Sequence, residues 1–512
     1  MTTQRYTKIK KKKMYRYHSE KRYKRKRREH YSHYKYRDQR ARRANVRIYK
    51  SETLLRAEFE SLVLRIVDAI FPLDKNLEIQ KFFNNKPSED EMRSYMMAHA
   101  QESVRIVHRG FKKAQILIIN GLLQIQSEIK RAKEQLKETR RQKSDKKELC
   151  LAKVNILEYK ETVLKHLADT IFWHLIEGKL YIARRFYQNT PGSKNLEDTN
   201  YKSVMFVADK INEKPDNFVL LTDITSYVQI GDLVGVIDGK RKLIEVKEGE
   251  RNNEILEDID AVNNSDLPIC DFFEKYKERP KDVEQIRRIL KQEKVANDEI
   301  NIINTDSGHD PVTDRNVKIY TPKEATPYFY DELRDLEKQL MTRNFWAYTV
   351  VDSCLHIGLY KNKWKMLGRP LLDKIAKDQN IEHKLIADAR SVMKTMDCPL
   401  LFLPFSRQLI IDILFGKVMM FLMLDIDKFM KLFEYYGTTC SWTSKKETTK
   451  IIESTKNLNL YLNGNRAIKM RNVHGVESIM TMGVLAKILF NHIRPTYMAY
   501  SSNYFTNAII DE

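Results

Sequence analysis

Three residues carry the most chemistry in this chain: Asp232, Glu245 and Lys247, within "GDLVGVIDGKRKLIEVKEG" (231–249). They place two carboxylates and an ammonium in runs that otherwise read as the interior of a sheet. Asp238-Gly239 between two apolar runs is a strong hairpin signal, because both central residues of a type I′ turn need positive φ. With those two as the loop, Ile237 faces Lys240, and the same register sets Asp232 directly opposite Glu245. Side chains alternate faces with period two, so Lys247 shares the Glu245 face while Val246 points the other way. A four-residue loop would preserve that shared face and an odd one would break it.

Two carboxylates about 5 Å apart on a largely buried sheet repel each other, and burial adds a desolvation cost. A divalent cation, Mg²⁺ or Mn²⁺, removes the conflict. Mg²⁺ takes one or two carboxylates, keeps several waters and leaves room for a phosphate oxygen. It would acidify a bound water and stabilise charge on an attacked phosphate. Lys247 could orient or deprotonate that water, or stabilise the developing negative charge. The competing reading is an exposed polar face, on which the same residues form a cross-strand ion pair worth about a few tenths of a kcal/mol. Asp223 in "LLTDIT" is either a further metal-site acid or a strand-end acid.

The elements that must position these residues follow from periodicity. Residues 51–100 read as helical, and 101–178 as a long helical hairpin turning at "RQKSDKK" (141–147). Ile118, Leu122, Ile125, Ile129, Ala132 and Leu136 make one apolar stripe, answered by Val154, Leu157, Leu164 and Ile171. After "NTPGSK" (189–194) the period changes. "SVMFVAD" (203–209), "NFVLLTDIT" (217–225) and "INIINT" (300–305) read as strands, and "PKDVEQIRRILKQEKVANDE" (280–299) as an amphipathic helix. The expected fold is α/β (α+β), with a small mixed sheet at its centre. The expected domains are a basic arm at 1–50, a helical region at 51–150, a sheet domain at 151–310 and a mixed, mainly helical C-terminal domain at 320–512. In that last region Asp352 and His356 are an acid and a histidine at a spacing too common to define a site.

Asp232, twelve intervening residues and then Glu245-Val246-Lys247 resembles the D…(D/E)xK core of the PD-(D/E)XK nuclease superfamily, the restriction-endonuclease-like fold. Gly231 stands where the superfamily's proline would be. The resemblance covers roughly 150–310, about a third of the chain. "DTIFWHLIEG", "EVKEG" and "EQIRRILKQ" together resemble an uncharacterised bacterial branch. It implies a helix acid reaching the metal, for which "LADTIFWHLIEGK" (167–179) offers Asp169 or, alternatively, Glu177. It implies the Val246 carbonyl as a further metal ligand, Lys247 as the catalytic lysine and Gln285 as a water- or phosphate-positioning group. Lys291 or Arg288 would touch phosphate. The implied activity is metal-dependent hydrolysis of phosphodiester bonds in DNA.

Charge points to the same class of partner. Residues 1–50 hold 10 Lys and 11 Arg against Glu20, Glu29 and Asp38, an excess of +18, while the other 462 residues carry 70 basic and 66 acidic groups, only +4. This arm is a solvated basic tail or a dedicated nucleic-acid contact, its interleaved tyrosines stacking on bases while the cations meet phosphates. A non-catalytic nucleic-acid-binding or assembly protein with a nuclease-like scaffold is therefore the alternative to the enzyme. The C-terminal domain would recognise a protein partner or restrain the enzyme. Five scattered cysteines without a CxxC argue against a disulfide scaffold or structural zinc. A charged N-terminus without an apolar core argues against a signal peptide. "LIIDILFGKVMMFLMLDIDKFM" (409–430) is too interrupted by charge to span a membrane. A cytoplasmic location is expected.

Overall fold

The computed structural model describes residues 56–75, 88–142, 146–187, 195–246, 254–255, 258–259, 261–262, 268–310, 315–318, 327–455 and 459–510. The basic arm, Lys247, Glu248 and Glu250 lie outside the described residues. The chain divides into two compact units: Gln124–Glu161 with the chain up to Val63, and Leu64–Leu123 with Thr162–Glu512.

After helix α1 (Arg56–Ile70) comes the long helix α2 (Glu89–Arg141), then α3 (Lys147–Leu175). All six residues of the α2 stripe and all four α3 residues that answer it are buried, as an apolar face at helical spacing requires. Within the first unit the two helices are also joined by polar contacts. Lys133 pairs with Glu158 at 2.9 Å, and Gln126 Nε2 donates to Glu161 at 2.8 Å.

The second unit continues with α4 (Leu180–Arg185) and α5 (Tyr201–Asn212). A three-stranded meander follows, β1 (Phe218–Leu221), β2 (Leu233–Ile237) and β3 (Lys240–Ile244). Next come α6 (Ile269–Tyr276), α7 (Pro280–Thr305) and the pair β4 (Ser307–Asp310) and β5 (Arg315–Lys318). Helix α5 packs on β1, and α7 packs along β3 and β4.

Three expectations need correction. Residues 203–209 are helical: Val204 and Ala208 are buried one turn apart while Phe206 is exposed, a helical pattern that a short apolar run conceals. Residues 300–305 are the last turns of α7, kept helical by burial of Ile302 and Ile303 and ended by Asp306 in the left-handed region at φ 55°. The central sheet is not mixed, because both of its pairings are antiparallel. The chain is an α+β protein with small antiparallel sheets.

The C-terminal part is mainly helical with sheet between. Helix α8 (Tyr330–Arg343) leads into β6 (Trp346–Val351) and β7 (Leu355–Lys361), then α9 (Gly368–Asp378), β8 (Lys384–Asp388), α10 (Arg407–Leu414) and β9 (Val418–Asp425). The strands form one antiparallel sheet in the order β6-β7-β9-β8. All eight residues of β9 are buried, which explains the continuous apolar run of its sequence. Tyr360, Met419, Phe421 and Met423 pack on Leu372 and Ala376 of α9. The run 409–430 is therefore divided between helix, strand and helix, and no described helix is long and apolar enough to cross a membrane. Asp352 accepts hydrogen bonds from Arg494 and Thr496, whereas His356 Nδ1 meets the Tyr348 hydroxyl at 2.6 Å. The two residues are thus engaged separately.

Candidate functional site

The Asp-Gly turn forms as its chemistry demands, with φ 49° at Asp238 and 75° at Gly239. The ladder pairs Ile237 with Lys240 and continues in register to Leu233 with Ile244. Beyond that point the pairing slips. The Asp232 N–H donates to the Ile244 carbonyl at 2.9 Å, so Asp232 and Leu233 both answer to Ile244. Two residues against one is the signature of a β-bulge. Gly231, at φ 73°, precedes it. The bulge lies where the two acids were expected to face each other. The Asp232 Oδ2 instead accepts the Val246 N–H at 2.7 Å. Asp232, Glu245 and Val246 are half-buried rather than interior, and β3 is an edge strand with Lys240 and Lys242 exposed.

Asp169 is buried on α3 and serves the β1–β2 connection. One carboxylate oxygen accepts the Ser226 N–H at 2.8 Å, and the other has no hydrogen-bond partner among the described residues. Burial pushes its pKa up to about 7, against the opposing effect of the Ser226 hydrogen bonds. Asp223 is exposed in the turn after β1.

Glu177 sits at the other end of the hairpin. Its carboxylate pairs with Arg241 of β3 and, at 2.9 Å, with Lys179, whose ammonium holds it below the usual carboxylate range. Arg241 is four residues before Glu245, about 13 Å along a strand. The two candidate helix acids therefore serve separate parts of the sheet region. Gln285 is half-buried on α7 and accepts from Arg288 one turn on. Its neighbours Ile286 and Ile289 anchor that part of α7 against Phe272 and Tyr276. Lys291 is exposed.

The sequence motif thus divides. Asp232 meets the Glu245–Val246 peptide, Asp169 meets Ser226, and Gln285 meets Arg288. Among the described residues no group of three His, Cys, Asp or Glu side chains is placed to hold a metal ion. One Asp232 oxygen accepts a backbone N–H, and Lys247, the third member of the motif, lies outside the described residues. No family model, curated protein or solved structure matches the chain.

Residues with no motif behind them make a more developed cavity. A cleft of about 730 Å³ opens at the turn end of the hairpin, between α2, the end of α3, the turn and Asn304 of α7. His108, His174 and Lys240 line it. No pattern in the sequence links three residues so far apart.

Proposed function

We propose that the protein binds nucleic acid through its basic N-terminal arm. The observation that carries this is the segregation of charge: +18 in residues 1–50 against +4 in the remaining 462. Such an arm neutralises phosphates and releases counterions, which gives affinity without choosing sequence. The tyrosines between its cations supply faces on which unstacked bases can rest. Binding of fluorescent duplex and single-stranded oligonucleotides between 50 and 200 mM salt, on the order of the range where such contacts respond, tests it. The expected result is a steep loss of affinity with salt that disappears when residues 1–50 are deleted. Equal affinity and slope with and without the arm would contradict it.

A second reading, Mg²⁺-dependent hydrolysis of DNA, has one observation in its favour. The Asp232 Oδ2–Val246 N–H bond at 2.7 Å draws together the two halves of the D…ExK pattern. Plasmid DNA incubated with and without Mg²⁺ separates the readings. Cutting by the natural chain that is lost in both Asp232→Ala and Lys247→Ala supports hydrolysis. A gel shift without cutting supports binding alone.

A further inference from the structure

Within the first unit, the turn end of the α2–α3 hairpin gathers the positive charge that the arm does not hold. Residues 130–153 carry 10 basic and 4 acidic side chains, an excess of +6. Taking these from the 70 basic and 66 acidic groups beyond the arm leaves 60 and 62, a net −2 over the other 438 residues. Every described cation of residues 130–153 is exposed. Lys133 pairs with Glu158 and Arg141 with Glu138. Lys130, Arg131, Lys137, Arg140, Lys147 and Lys153 have no ion pair among the described residues.

The helix orders these charges. Lys130, Lys133, Lys137 and Arg140 are 3, 4 and 3 residues apart, so they share one edge of α2. Ile129, Ala132 and Leu136 take the buried face, which leaves that edge to solvent. Glu134 and Glu138 do not neutralise it, since neither forms an ion pair with Lys130, Lys137 or Arg140 among the described residues. At 1.5 Å of rise per residue the row spans about 15 Å, a length over which one strand of a duplex presents about four phosphates. Composition then selects the form of the partner. No aromatic residue occurs in 130–153, whereas tyrosines interleave the arm. With no ring on which an unstacked base could rest, the edge can meet only phosphates. A duplex concentrates these, at about one charge per 1.7 Å of its axis.

We propose that the turn end of the α2–α3 hairpin is a second nucleic-acid contact, its row of cations lying along the phosphate backbone of a duplex. The proposal rests on the reading that the arm captures nucleic acid. About four phosphate contacts hold a duplex weakly by themselves, but a duplex bound by the arm is presented to the row at a raised local concentration.

The test is the slope of duplex affinity against salt, on logarithmic axes, for full-length chains. The row variant is Lys130→Gln/Lys137→Gln/Arg140→Gln. All three positions are exposed and glutamine is a comparable helix former, so its thermal melt should match that of the natural chain. Its slope should be shallower by about three, one for each phosphate contact removed, with a smaller change on a single strand of the same sequence. Lys363→Gln/Lys377→Gln/Lys394→Gln removes the same charge from other exposed positions and should leave the slope within about one of the natural value. A row variant with the natural slope, an equal change on single strands, or an equal change in the second triple variant overturns the proposal. A chain with the arm's lysines and arginines replaced by glutamine keeps the two ideas apart: a natural slope there contradicts the arm reading, whereas a flattened slope there beside an unchanged row variant contradicts the hairpin contact alone.

Discussion

The two ends of the β2–β3 hairpin are built from the same strands and handle polar groups in opposite ways. At the open end Asp232 gives a carboxylate oxygen to the Val246 N–H and its own N–H to the Ile244 carbonyl. At the turn end Arg241 is held by Glu177 and by the Leu175 carbonyl, while Lys240 next to it stays exposed at the mouth of a cleft. His108 and His174, which line that cleft, each keep one ring nitrogen buried from solvent and without a partner among the described residues. The end with the recognisable motif has turned its acid inward to stabilise a bulge. The end without a motif leaves Lys240 exposed to solvent. Residue types that could do chemistry mark a site only when the fold does not first use them for its own hydrogen bonds.

The largest effect should come from the residue that seats both ends on the sheet. A Cβ at Gly235 would meet the Phe218 carbonyl oxygen at 2.0 Å and the Val219 Cα at 2.7 Å, both backbone atoms that cannot step aside. Gly235→Val is expected to cost upward of about 3 kcal/mol, read from the urea midpoint. A loss below about 1 kcal/mol would mean that β1 and β2 do not pack this closely.

Asp169, which steadies the connection into the open end, gives the next effect and a pH signature. Its folded pKa of about 7 lies above the ordinary carboxylate value, so between about pH 4 and 7 the folded state keeps a proton that the unfolded chain has shed. Stability therefore falls as pH rises through that window and levels off above it. Asp169→Asn should remove the slope and be more stable than the natural chain at pH 8 by about 4 kcal/mol, the two converging near pH 4. Parallel pH profiles would show that Asp169 ionises normally.

Asp232→Asn distinguishes the two accounts of the open end most sharply, although its effect is smaller. If Asp232 and Glu245 chiefly repel, removing one charge stabilises the chain. If the charged bond to the Val246 N–H dominates, the substitution destabilises by about 1 kcal/mol. The second outcome is expected in thermal melts at low salt.

Much of this region was legible in sequence. Asp238-Gly239 fixed the turn because few other residues accept two successive positive φ angles, and the turn fixed the register as far as Leu233 and Ile244. The bulge was not legible, since it depends on the backbone at Gly231 and on a side chain capturing a main-chain N–H. The helical state of 203–209 was hidden because Met205, Phe206 and Val207 fill the gaps in the 3.6-residue pattern. The extension of α7 to Thr305 was hidden because "INIINT" has strand-like composition, and tertiary burial of Ile302 and Ile303 overrides it. The cleft is a product of tertiary structure alone, with α2, α3 and the hairpin each contributing a residue type that means little by itself.

The central claim is that the charge of residues 1–50 meets nucleic-acid phosphates. The most direct measurement is the logarithm of duplex-DNA affinity against the logarithm of salt concentration, for the full chain and for a full-length variant with the arm's lysines and arginines replaced by glutamine. The expected result is a slope of about −5 or steeper for the natural chain, equivalent to roughly six phosphates neutralised, and near zero for the variant. Slopes that coincide would show that the arm does not carry the binding.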